Sequence, residues 1–349
     1  MTPATYNLCF VGFGNVGRAL VRLLLDKREQ LRSDHAIDWR ITGIASRRIG
    51  WLANPQGFEP DELLRISPDG KGAVLKGATT SNSVRDWLRA ARAGVLCEMS
   101  SLNRHTGQPA IDHLQAALES GAHAISANKG PVVYALPELR ALAAKAGKWF
   151  LFESAVMDGT PIFNLFHETL PVVNLRGFRG LLNSTTNVVL TEMEAGRTFA
   201  DAVLRAQEIG VAETDPTDDL EGWDPAVKIC ALCNVLMGAN LRPGDVERIG
   251  IATLTPEAAR EARAAGRPYK LVCSARREGQ AIRARVAPEQ LPLSDPLAQM
   301  TGTTSALFFD MDVFGLSIIE HKPGVIATAY GLLSDFVRAV KGTATKPSG

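Results

Sequence analysis

Residues 6–32, YNLCFVGFGNVGRALVRLLLDKREQLR, decide the fold. An apolar run over 6–12 reads as a buried strand and passes directly into Gly12, Gly14 and Gly17, after which the pattern turns helical. A strand before G-x-G-x-x-G and a helix after it is the context of a dinucleotide turn. The first glycine permits the turn, the second lets backbone amides approach a pyrophosphate, and the third allows close packing, while the helix dipole favours the anion. A plain tight turn is the competing reading. The next strand, over 38–45, ends in Ser46-Arg47-Arg48, where NAD sites carry an acid for the ribose 2′-hydroxyl. Two arginines suit a 2′-phosphate, so NADP is favoured over NAD, unless they are simply solvated.

Working outward, residues 50–93 read as a surface-rich connection with one helix near 83–93. A strand over 94–99 delivers Ser100 and Ser101 to the carboxyl edge of the sheet, where ligands of open α/β sheets sit. A further helix and strand bring Lys129 to the same edge, in the run Asn128-Lys129-Gly130-Pro131. A helix over 136–146 and the strand KWFLFES then deliver Glu153, and the parallel alternation stops. The expected first domain is therefore a Rossmann-type α/β unit over 1–150, joined by a last helix near 325–341.

Residues 151–322 have the pattern of an α+β domain with a mostly antiparallel sheet, its strands expected over 175–182, 269–277, 280–286, 305–313 and 317–320. The first of these strands runs into the polar turn Asn183-Ser184-Thr185-Thr186-Asn187 at the head of a helix. The stretch 206–228, AQEIGVAETDPTDDLEGWDPAVK, packs six carboxylates (Glu213, Asp215, Asp218, Asp219, Glu221, Asp224) into twelve residues and closes on Lys228. Asp224-Pro225 reads as an N-cap followed by proline at the first helical position. Lys228 then lies at i+4 from Asp224 on one helix face. A solvated acidic turn is the bland alternative, but the apolar ICALCNVLMG that follows argues for a buried helix. Calcium-loop spacing is absent. Residues 342–349 read as a disordered tail.

At 349 residues the chain suits two domains. Lys plus Arg number 38 against 37 for Asp plus Glu, which leaves no net field for nucleic acid or an acidic membrane. A small-molecule partner is expected, with no nucleic acid and no membrane. No apolar run reaches the length of a membrane span, and the N-terminus lacks a basic leader, so a cytoplasmic location is expected. Five scattered cysteines suit reduced core thiols better than a disulfide framework. Cys230 and Cys233 form a lone C-x-x-C without a second pair or a nearby histidine, a weak zinc or redox signal.

A dinucleotide turn, two lysines and an acidic cluster in one chain resemble the homoserine dehydrogenase family. The most specific match is Ala206, Gly210-Val211-Ala212, Asp215-Pro216, Asp219-Leu220, Gly222, Asp224 and Lys228, which fits the family signature at each constrained position. The resemblance implies reversible reduction of L-aspartate 4-semialdehyde to L-homoserine with NADPH or NADH. Lys228 would donate the proton, Lys129 would stand between cofactor and substrate, and Glu213, Asp219, Asp224, Ser184 and Thr185 would hold the substrate. Gly12, Phe13, Gly14, Asn15, Val16 and Gly17, with Ser46, Arg47, Arg48, Ser100, Ser101, Gly210 and Gly324, would line the cofactor. A monovalent cation, commonly sodium, would bind Glu153 and backbone carbonyls of Val156, Asp158 and Thr160. A homodimer through the second domain is also implied, without feedback through an ACT domain.

The chain departs from the family in places. V-M-D-G stands where a V-G-G-G or V-G-A-G run is usual, Ser184 replaces a glycine, and Val211 replaces a common aromatic residue. A glycine-rich run before the last helix is reduced to Pro323-Gly324. Glu153 also reads as a buried hydrogen-bonded carboxylate without metal. Two other functions stay open: an oxidoreductase of the same build acting on a related amino or hydroxy aldehyde, and a nucleotide-binding protein without turnover.

Overall fold

The computed structural model describes residues 2–67, 70 and 75–342. The backbone divides into two compact units, one running to Ile162 and resuming at Gly324, the other spanning Phe163–Pro323.

In the first unit the described residues form a seven-stranded sheet in the order β4-β3-β2-β1-β5-β6-β7. Its strands are β1 (Ala4–Val11), β2 (Ile37–Ser46), β3 (Gly50–Ala53), β4 (Thr79–Ser81), β5 (Val95–Glu98), β6 (His123–Ser126) and β7 (Phe150–Leu151). β2, β1, β5, β6 and β7 run parallel, which is the Rossmann-type half the glycine turn implied. β1 sits centrally with β2 on one side and β5 on the other, so the chain reverses direction across the sheet at β1. Such a switch point opens a crevice beyond the strands' carboxyl ends. The core packs Phe10, Trp39, Ile41, Leu24 and Phe336 at 2% exposure or less, with the helices Asn15–Asp26 and Val325–Lys341 against it.

Two sequence expectations change here. Residues 50–93 are more than a connection, because β3 and β4 pair antiparallel and extend the sheet beyond β2. Strands of four and three residues carry too little alternation to be read alone. The strand before Glu153 is only Phe150–Leu151. Lys129 begins the helix Lys129–Tyr134.

The second unit carries a six-stranded sheet in the order β13-β12-β8-β10-β11-β9. The strands are β8 (Leu175–Leu181), β9 (Glu247–Arg248), β10 (Tyr269–Glu278), β11 (Ala281–Gln290), β12 (Ser305–Met311) and β13 (Gly315–Glu320). All pairs are antiparallel except β9 with β11. The helix carrying Lys228 spans Trp223–Leu236 and is capped by Gly222 in the left-handed region, so the expected Asp224 cap is corrected: Asp224 lies in the first turn. Glycine at φ +81 starts the helix two residues earlier than an aspartate cap would. Residues 343–349 of the expected tail lie outside the described residues. No helix among the described residues is long and apolar enough to cross a membrane.

Candidate active site

The glycine turn has the shape its spacing implied. A Cβ on Gly12 would lie 2.4 Å from the Met99 carbonyl group, and the Gly12 φ of +87° is unfavourable for any side chain. Gly12 and Phe13 both donate their N–H to the Ala45 carbonyl, at 2.9 and 3.3 Å. Gly14 has open space around its missing side chain and precedes the helix Asn15–Asp26, which no side chain caps. Among the described residues no side chain caps the first-turn amides, those of Asn15 and Val16 among them, and an anion suits them. A Cβ on Gly17 would lie 3.3 Å from the Phe13 ring. This cradle fits a dinucleotide pyrophosphate.

Arg47 and Arg48 are exposed beyond β2. The Ser46 hydroxyl oxygen accepts the N–H of Arg48 and of Ile49, each at 3.3 Å, and so shapes the turn that presents them. At the end of β5, Glu98 is fully buried and accepts from the Ser100 N–H at 3.2 Å and from the Ser100 hydroxyl. His113 Nδ1 stands 3.5 Å from the same oxygen. Sequence reasoning passed over Glu98, although an acid ending the apolar GVLCEM strand is itself a signal. Asn128 was likewise unassigned. Its amide nitrogen holds the Ser100 and Ser101 carbonyls at 3.0 and 3.4 Å, and its oxygen accepts from Gly130 N–H at 2.9 Å, which starts the Lys129 helix. Asn128 thus orients three of the expected site residues at one sheet edge.

The segment expected to hold a cation is tied by hydrogen bonds. Glu153 is 2% exposed, and its carboxylate accepts the Ile162 N–H at 2.6 Å, an N–H that also faces the Thr160 carbonyl at 2.9 Å. Met157 and Asp158 both have positive φ, +53° and +52°, a region that favours glycine. The Asp158 carboxylate accepts from the Gly324 N–H and from the Thr328 hydroxyl at 3.0 Å, which places an anion at the positive end of the helix Val325–Lys341. That contact also occupies the Gly324 amide. No group of three or more His, Cys, Asp or Glu suited to a metal occurs among the described residues. The Glu153 and Asp158 carboxylates are thus held by the backbone N–H groups of Ile162 and Gly324.

In the second unit the acidic stretch and the Asn183 turn converge. The Lys228 ammonium lies 2.9 Å from Asp224 Oδ2 and donates to the Leu182 carbonyl at 2.6 Å, the side chains of lysine and aspartate each being 20% exposed. Asn183 caps the helix Ser184–Glu194 through the Thr186 N–H at 2.9 Å. Its amide nitrogen donates to Asp219 Oδ1 at 2.6 Å and stands 3.3 Å from Asp224 Oδ2. The Thr185 hydroxyl lies 2.9 Å from Asp219 Oδ2 and 3.2 Å from the Val211 carbonyl. Burial first, and then the charge of Asp224, raise the Asp219 carboxyl above its ordinary pKa, against the bonds from Asn183 and Thr185 and the Lys228 ammonium. The arrangement offers one ammonium, two carboxylates and a helix N-terminus within a hydrogen-bonded cluster.

Not every expected residue joins it. Glu213 is exposed, and its backbone carbonyl, not its carboxylate, is held by Gln207 at 3.0 Å. Ser184 turns its hydroxyl to the Thr303 carbonyl at 3.1 Å. Gly210 takes a φ of +75° just past the helix Phe199–Glu208, with open space around it. Cys230 and Cys233 are fully buried, and burial pushes both thiols up, Cys233 to about 12, which suits inert core packing.

Two family models together match most of the chain. The family model described as Homoserine dehydrogenase matches residues 161–337, and the one described as Homoserine dehydrogenase, NAD binding domain, matches residues 12–153. The chain is 36% identical to an NAD(+)-dependent homoserine dehydrogenase of Pseudomonas canavaninivorans, covering 95% of each chain. It is 34% identical to a homoserine dehydrogenase of Methanocaldococcus jannaschii, covering 97% of this chain and 99% of that one. Among solved structures it superposes on a homoserine dehydrogenase of Thiobacillus denitrificans with a TM-score of 0.83 at 26% identity, over 99% of this chain and 76% of that one. A hyperthermophilic archaeal homoserine dehydrogenase mutant in complex with NADPH matches with a TM-score of 0.81 at 25% identity, over 97% and 98% of the two chains.

Proposed function

The chain belongs to the homoserine dehydrogenase family of NAD(P)-dependent oxidoreductases, and from that premise we propose that it interconverts L-aspartate 4-semialdehyde and L-homoserine, a step toward threonine and methionine, with Lys228 as the proton donor. The observation that carries this reading is the Lys228 ammonium, 2.9 Å from Asp224 in a cluster with Asn183 and Asp219. NAD(P), when bound, supplies or takes the hydride. A carbonyl accepting hydride develops oxyanion charge, which an ammonium both stabilises and protonates. Asp224 and the Leu182 carbonyl aim that ammonium. Asp219 and Asp224 suit the substrate's α-ammonium, and the N-terminus of the helix Ser184–Glu194 suits its α-carboxylate. Lys129, at the start of the helix that Asn128 caps, would stand between cofactor and substrate.

Arg47 and Arg48 support NADP over NAD, although the Pseudomonas relative is named as NAD(+)-dependent. A homodimer would use the second unit's sheet, whose open depression of about 430 Å³ is lined by Phe178, Phe308, Arg179, Arg276 and Arg283 among others. Light scattering at twice the chain's mass is the expected result. The direct assay follows NADP and NAD reduction at 340 nm with L-homoserine. Running it in sodium and in potassium buffer tests whether Glu153 and the carbonyls of Val156, Asp158 and Thr160 serve a cation. Turnover on homoserine is expected; cofactor binding without turnover would move the weight to a related aldehyde, the reading that Ser184 and Val211 favour by reshaping the pocket.

A further inference from the structure

Lys270 lies on β10, outside every motif that points to the active site, yet it is only 2% exposed. A buried ammonium loses its hydration, and a lysine at such a position needs compensating partners. Its Nζ donates to Asn187 Oδ1 at 3.0 Å and to the Met300 carbonyl at 2.6 Å. With its oxygen so engaged, Asn187 turns its amide nitrogen to the Gly302 carbonyl at 2.8 Å. One residue further along that loop, the Thr303 carbonyl accepts from the Ser184 hydroxyl at 3.1 Å. One ammonium thus joins the 300–303 loop to the first turn of the helix Ser184–Glu194.

That first turn begins at the substrate cluster. Asn187 is four residues after Asn183 and shares its helix face. Asn183 is the cap whose amide reaches Asp219 and Asp224. From these contacts, and resting on the function proposed above, we infer that Lys270 is a positioning residue for substrate binding: it fixes the turn that places Asn183 and Thr185 against the acidic pair. Burial pulls its pKa below the ordinary lysine range; the Glu194 carboxylate opposes that shift and Arg263 adds to it. An apolar side chain of the same length would strand the Asn187 oxygen and the Met300 carbonyl, freeing both loop and turn to move.

The test is Lys270→Met against wild type, with KM and kcat for L-homoserine and the Kd for NADP measured by titration. A positioning role raises KM about tenfold or more, changes kcat less than threefold and leaves the NADP Kd within twofold, because the dinucleotide cradle belongs to the first unit. A purely structural role lowers the melting temperature and the active fraction while KM stays as in wild type, and that result overturns the inference. Should Lys270→Met fail to fold, Asn187→Ala removes the other end of the link and is judged by the same KM criterion. Turnover by wild type separates the two claims. Wild type that binds NADP without turning over homoserine overturns the proposed function, whereas normal wild-type turnover with an unchanged variant KM overturns only the role of Lys270.

Discussion

Lys228 and its partners carry the most direct consequences. Lys228→Ala should remove most of kcat, by on the order of a hundredfold or more as expected for a lost general acid, and leave NADPH affinity nearly unchanged. Loss of NADPH binding with activity surviving in proportion would contradict the assignment. Asp219 gives a pH dependence. Its carboxyl is raised by burial and by Asp224, so it takes up a proton at higher pH than an ordinary aspartate, and a substrate ammonium held there would lose a partner on the acid side. KM for homoserine should therefore climb as pH falls, and Asp219→Asn should start with a higher KM and flatten that limb; a parallel limb in the variant assigns the titration elsewhere. Arg47→Ala should weaken NADPH more than NADH, and equal effects would mean that the guanidinium does not meet a 2′-phosphate. The acidic stretch was legible because Asp224 and Lys228 are four residues apart on one helix. Lys270 was not legible, because a lysine within the alternating run YKLVCSARRE looks like one more solvent-facing residue until β10 is packed.

Close approach of backbone segments governs the elements. In the first unit the C-terminal helix Val325–Lys341 lies against the 153–160 segment at two glycines. A Cβ on Gly159 would stand 2.3 Å from the Ala327 carbonyl oxygen, and one on Gly331 would stand 2.9 Å from the Gly159 Cα and 2.3 Å from Ser154 Oγ. Helix propensity alone would favour alanine at Gly331 by about 1 kcal/mol, but overpacking costs about 1–3 kcal/mol. Gly331→Ala should accordingly lower the denaturant midpoint, and a raised midpoint would mean that the helix can shift away. The same physics places Gly180 on β8, where a Cβ would fall 2.0 Å from the Ala306 carbonyl of β12. Glycines in helical and strand patterns read from sequence as weak points. Here they mark places where two backbones touch.

Stability of the first unit should depend on pH through His123 on β6. It is 4% exposed, accepts the Trp149 N–H at 3.2 Å, and burial, reinforced by Lys148, lowers its pKa to about 4. Unfolded, the ring titrates near its ordinary value of about 6.5. Between those values the unfolded chain binds more protons, so the contribution is complete above about pH 6.5 and is lost as pH falls toward 4, with a slope of at most about 1.4 kcal/mol per pH unit. Replacing His123 with glutamine should reduce that slope in urea melts across the interval, and an unchanged slope would assign it to other groups.

Patterns that repeat within one element were readable along the chain: the strand-turn-helix around Gly12, the antiparallel alternation of β10 to β13, and the four-residue step from Asp224 to Lys228. They depend on backbone periodicity and on the steric freedom of glycine, which act locally. Contacts between distant segments decided the rest. Glu98 beside His113, Asp158 against the last helix and Lys270 behind Asn187 each join residues whose pairing depends on which segments become neighbours and which side chains lose water together. Desolvation turns a polar residue that is unremarkable in an extended chain into one that must find a partner, and that requirement exists only after the chain has packed.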